Sequence, residues 1–95
     1  MNKYKDRKLE KAVKLLGLWA IRYCLSRDSY AFYDLEPICR NYWEFFTNIE
    51  RETIIREFNE ALASRQLSDA SRDFLASLID DVTKRELNAS NTTAQ

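Results

Sequence analysis

The side chains in this 95-residue chain that could do chemistry are carboxylates and thiols, and their spacing argues against catalysis. Carboxylates pair at Asp80-Asp81 and at Glu57 with Glu60. A general acid and base need two such groups converging on one substrate from different surroundings. Adjacent residues on a helix point about 100° apart, and Glu57 and Glu60 fall on a face rich in solvated charge. The chain holds no histidine, which removes the commonest general base, the commonest metal ligand and every Ser-His or Cys-His arrangement. Two cysteines, Cys24 and Cys39, cannot complete a zinc site alone. With one glycine there is no phosphate-cradling loop. The expectation is a non-enzymatic protein with no catalytic residue, no metal and no cofactor.

Binding chemistry remains, in two places. Formal net charge is zero, but residues 1–27 hold eight basic and two acidic side chains, a net +6, and residues 28–95 hold seven and thirteen, a net −6. Lys3, Arg7, Lys11 and Lys14 lie along one side of the first helix, with Lys5 and Lys8 to the other. Such a face can contact nucleic-acid phosphate or an acidic protein. Only Tyr4 interleaves aromatic character there, and no helix-turn-helix glycine turn, zinc-finger spacing or heptad zipper is present.

The second place is aromatic. Seven of the twelve aromatic residues fall between Tyr30 and Phe46. Tyr42 or Cys39, Trp43 and Phe46 share an inward stripe and read as core. Tyr30, Phe32 and Tyr33 precede that helix in a connection, where amphipathic rings often anchor interfaces. With Glu36 they form the expected partner-binding loop. Asp28, Asp34, Glu36 and Glu44 would suit a basic partner. On this reading Tyr33→Ala or Phe32→Ala weakens partner binding while stability stays within about 1 kcal/mol. The plainer alternative is a loop folded over the core as a lid.

The elements that must position these residues are helices. One glycine and one proline leave few tight-turn residues, and no strand alternation persists beyond four residues. A first helix is expected from Lys3 to Leu25, with Leu9, Val13, Leu16, Ala20 and Tyr23 as one stripe. Leu15, Leu18, Trp19, Ile21 and Leu25 fill neighbouring faces. Lys3–Lys14 is thus a basic, half-exposed arm, and Leu15–Leu25 a hub to be covered by other helices or by a second copy. Gly17 lies mid-helix, where a close helix crossing would justify it and Gly17→Leu would cost far more than Gly17→Ala. Asp34 is the expected N-cap of a second helix reaching Phe46, with Pro37 in its first turn. Thr47 and Glu50 read as a capping box for a third helix, carrying Ile54, Ile55, Phe58, Ala61 and Leu62 on one face. Ser68 caps a fourth, with the stripe Ser71, Leu75, Leu78 and Val82. Asn88–Gln95 lacks large apolar residues and is expected to be a disordered tail. The fold class is therefore all-α: a compact four-helix domain over 1–87, as an irregular cluster or a bundle, with a disordered C-terminal tail over 88–95.

Both cysteines read as reduced, buried thiols. No apolar leader opens the chain, and Leu15–Ile21 is far too short to span a bilayer. The expected compartment is the cytoplasm, with no membrane partner. The leading functional expectation is a protein–protein interaction module that inhibits or regulates by occupying a partner's surface. In size and general character the chain is similar to small helical accessory proteins of phages and plasmids that block host complexes, such as anti-CRISPR proteins. That likeness rests on no motif and assigns no residue. Two alternatives stand beside it: a nucleic-acid-binding regulator using the first helix, and a self-associating structural protein with a homodimer interface across Leu15–Leu25.

Overall fold

The apolar pattern that opens the chain is cut at Gly17. In the computed structural model, which describes residues 3–27 and 30–94 (side chains of 7–27 and 30–89), α1 spans Lys3–Leu16 and α2 spans Leu18–Leu25. Between them Gly17 takes φ 54° and ψ −128°, a conformation that side chains with a Cβ rarely adopt. Its N–H donates to the Val13 carbonyl at 2.8 Å, ending α1, and its carbonyl accepts from the Ala20 N–H at 3.0 Å, opening α2. The single helix expected over Lys3–Leu25 is thus two, and Gly17 serves a bend rather than a close crossing.

The next segment is also more finely divided than expected. A short helix α3 covers Tyr30–Tyr33, α4 covers Leu35–Tyr42, and a 3-10 turn follows at Trp43–Phe45. Asp34 makes no side-chain cap bond and instead keeps helical angles. Its carbonyl accepts from the Ile38 N–H at 3.2 Å. Pro37 sits early in α4, where its missing N–H costs little.

The later helices start where the sequence marks them. The Glu50 N–H donates to Thr47 Oγ1 at 3.1 Å and the Thr47 N–H donates to Glu50 Oε1 at 2.9 Å, completing the capping box of α5 (Asn48–Ser64). Ser68 Oγ accepts from the Ser71 N–H at 3.2 Å at the head of α6 (Asp69–Ala94). The backbone of α6 stays helical through Ala94, beyond Leu87, into the stretch expected to be disordered. That stretch has no glycine or proline to stop a helix, and Asn88 and Ala89 line a pocket with Trp43 and Arg51. Gln95 lies outside the described residues.

The described residues form an all-α cluster with no strand. Helices α5 and α6 lie side by side, α2 bridges to α5, and α1 rests on α2 and α4. One contiguous core runs through all of them, with Ile21, Phe32, Leu35, Ile38, Cys39, Ile54, Phe58, Leu75 and Val82 essentially sealed. No helix among the described residues is long and apolar enough to cross a membrane.

Arginines close the helix ends. Arg65 donates to the Leu25 carbonyl at the end of α2. Arg85 donates to Cys39 O at 2.8 Å and Arg40 O at 3.3 Å near the end of α4. Arg72 donates to Leu62 O at 2.8 Å and Arg65 O at 3.2 Å at the end of α5. The last carbonyls of a helix generally lack an intrahelical donor, and a guanidinium supplies several N–H groups at once.

Candidate partner-binding surface

The break at Gly17 lies between two stretches that each bury one face. Upstream, Leu9 and Val13 reach the core; downstream, Ala20, Ile21, Cys24 and Leu25 do. The remaining large side chains are left outside: Leu15 is 72% exposed, Leu16 54%, Trp19 66% and Tyr23 56%. Leu16 and Tyr23 line one concavity of about 470 Å³. Helix α1 contributes Lys8, Leu9, Ala12 and Leu16 to it. Helix α2 contributes Ala20, Tyr23 and Cys24, while Ala31, Asp34 and Ile38 close the far side. Trp19 lies one helical turn before Tyr23 and Leu15 adjoins Leu16, but neither Trp19 nor Leu15 lines the concavity. Guanidinium groups lie over both rings, Arg22 4.9 Å from the centre of Trp19 and Arg27 5.0 Å from that of Tyr23.

The basic residues of α1 divide into spent and unspent. Lys14 Nζ pairs with Glu10 Oε2 at 3.0 Å and lies 5.4 Å from the Phe45 ring centre. Arg7 and Lys11 are exposed and make no ion pair with any described residue. Lys8 is exposed at the rim of the groove. The side chain of Lys3 lies outside the described residues. Since α1 packs on α2 and α4, its basic side is a face of the body rather than a free arm.

The expected aromatic loop is not assembled as one surface. Phe32 is 0% exposed, with its ring centre 5.6 Å from Phe74 and 5.7 Å from Tyr33. It is a core residue, because α3 turns it inward, so the partner-binding role expected of it is corrected. Tyr33 is half committed: its ring lies 4.9 Å from Phe74 and its hydroxyl 3.3 Å from Ser71 Oγ. Glu36 accepts from Arg40 at 2.7 Å, one turn along α4. Tyr30, 91% exposed, is the one ring of the three that stands fully in solvent.

The carboxylates weighed as catalytic pairs are engaged separately. Glu57 receives Arg22 Nε and Nη2 at 3.0 and 2.6 Å in a fork that ties α5 to α2. Asp80 and Asp81 pair with Lys84 and Arg85 one turn on, at 3.0 and 3.3 Å. Among the described residues no group of three or more cysteine and acidic side chains is placed to hold a metal.

The two thiols are free and buried. Burial pushes Cys39 up to about 12, and burial, then Asp34, pushes Cys24 up to about 11, from the ordinary 9.0. Both folded values exceed the unfolded one, so their contribution to stability is complete below about pH 9 and is lost as pH rises toward 11 and 12. Iodoacetamide at pH 8 is expected to leave both thiols unmodified in the native protein and to alkylate both after guanidinium unfolding, read by mass. Rapid native alkylation of Cys39 would contradict its placement.

Sequence reasoning treated Leu15–Leu25 as a hub to be covered and did not separate its two faces. The available signal was the lone Gly17 inside the apolar pattern; the seven-residue step from Val13 to Ala20 keeps the ordinary helical phase and does not reveal the break. Comparison with family models, curated proteins and solved structures finds no match to this chain.

Proposed function

We propose that this chain is a non-enzymatic protein–protein interaction module that inhibits or regulates by laying the corner of α1 and α2 against a partner. The observation that supports this most is the exposure of Leu16 and Tyr23 at one apolar concavity, with Leu15 and Trp19 exposed on the same two helices. Scattered exposed apolar residues are ordinary, whereas contiguous ones beside a groove mark interaction surfaces. Trp and Tyr are also the side chains most often found at the energetic centre of interfaces. The anchors therefore move from Tyr30–Glu36 to the bend at Gly17.

The test is affinity capture from the source cell's extract with nuclease added, using the parent, Trp19→Ser with Tyr23→Ser, and Tyr30→Ser. A protein retained by the parent and by Tyr30→Ser, but lost with the double variant, supports the reading. Identical capture by all three overturns it, as does capture that vanishes with nuclease. The second outcome points to phosphate contact through Arg7, Lys8 and Lys11. Self-association through Leu15–Leu25 would use the same four side chains. Light scattering that shows a dimer in the parent and a monomer in the double variant would replace a foreign partner with a second copy.

A further inference from the structure

We infer that the concavity between α1, α2 and α3 is a binding site for a small, uncharged, largely apolar molecule, which goes beyond the protein contact and does not rest on it. Its depth sets it apart from a flat contact patch. Leu9, Ala20, Cys24 and Ile38 belong both to its lining and to the core, so the cavity reaches the interior of the fold. Its room comes from three alanines on three helices: Ala12 on α1, Ala20 on α2 and Ala31 on α3. Each stops at Cβ where a leucine would fill part of the space between the helices. About 470 Å³ is left open, within the range of roughly 300–1,000 Å³ for clefts that take small ligands.

The lining also selects the charge of the ligand. Lys8 and Asp34 are its two charged side chains and carry opposite signs, so the site offers no net charge to an anion or a cation. The Cys24 thiol, kept protonated by burial, adds none. An ionised ligand would give up its hydration for aliphatic walls that cannot replace it. An uncharged apolar ligand instead covers wall atoms that otherwise face water, and gains in proportion to the apolar area removed from solvent. Leu16 and Tyr23, exposed members of the lining, extend the apolar wall along the outer side of such a ligand.

Two fluorescent probes built on one skeleton test this: uncharged N-phenylnaphthylamine and its anionic counterpart, anilinonaphthalene sulfonate. Both brighten in apolar surroundings. The uncharged probe is expected to saturate at one per chain and to bind about ten-fold or more tightly than the sulfonate. The ring currents of its naphthalene should shift the NMR signals of the Ala12, Ala20 and Ala31 methyl groups. Ala12→Leu, which fills the cavity, should weaken binding by about ten-fold or more without lowering the melting temperature. Ala31→Leu fills it from the far side should Ala12→Leu melt below the parent, and the methyl shifts need no variant. Ala63→Leu, exposed on α5 and outside the lining, should leave binding unchanged. Binding that never saturates, a sulfonate that binds as tightly as the uncharged probe, or binding that survives both fillings overturns the site. So do methyl signals that stay in place at saturation. A chain that captures a protein through Trp19 and Tyr23 but binds neither probe overturns the small-molecule site alone. A chain that binds the uncharged probe but captures nothing keeps the site and overturns the protein contact.

Discussion

Phe32→Ala is expected to destabilise the protein by about 3–5 kcal/mol, the range for truncating a buried aromatic side chain. That is a large fraction of the ~5–15 kcal/mol that separates a folded domain from its unfolded chain. The cause is local: Phe32 has no exposed surface, and its ring meets Phe74 and Tyr33 at centroid distances of 5.6 and 5.7 Å. Alanine would leave a void between α3 and α6 that a close-packed core only partly closes. In a urea titration the midpoint should fall sharply with little change in slope. Tyr30→Ala, two residues earlier and almost wholly exposed, should stay within about 0.5 kcal/mol of the parent. A Phe32→Ala variant that unfolds alongside the parent would show that the ring is a surface anchor after all.

Phe32 also marks where sequence reading loses its grip. The starts of α5 and α6 were legible because Thr47, Glu50 and Ser68 act on N–H groups within three residues, and such local bonds depend little on the rest of the fold. The stripes on α5 and α6 were legible because both helices run uninterrupted, which keeps the apolar period in phase. Between Tyr30 and Phe46 the helical run is interrupted at Asp34, which keeps helical angles, and changes course at Tyr42, where φ is −127° and ψ 15°. These interruptions reset the phase, so Phe32, expected in a partner-binding loop, falls inward, and Phe45 falls outward. The candidate site was half legible for the same reason: Leu15–Leu25 was recognised as too apolar to stand alone, but not which side of it stayed uncovered.

The charge division takes on a physical meaning once the arginines are placed. Arg51, Arg65, Arg72 and Arg85 all donate to backbone carbonyls at or near the ends of helices or turns, so most of the positive charge beyond residue 28 is structural. Arg51 also donates to Glu86 at 2.7 Å, and that carboxylate accepts the Trp43 indole N–H at 2.9 Å. Among the described residues Arg7 and Lys11 are thus exposed cations of α1 with no such structural duty.

The proposed contact surface depends on the bend, which makes Gly17 the second decisive position. Gly17→Ala is expected to destabilise by about 1–3 kcal/mol, the cost of forcing a side chain into a sparsely populated backbone region. In an unbroken helix the same change would stabilise by about 1 kcal/mol, since alanine is the better helix former. The two architectures therefore predict opposite signs. Space does not decide the matter: a Cβ on Gly17 would meet Glu50 Oε2 at 3.4 Å, an ordinary contact. The angle pair φ 54°, ψ −128° does decide it. It also reverses the expectation for an unbroken helix that leucine is far worse than alanine, because most of the penalty arrives with the first carbon. Thermal melts of Gly17→Ala and Gly17→Leu should lie close together, both below the parent. A Gly17→Ala protein that melts above the parent would mean that α1 and α2 are one helix. The concavity walled by α1 and α2 on either side of the bend would then lose its shape, and the proposed contact surface with it.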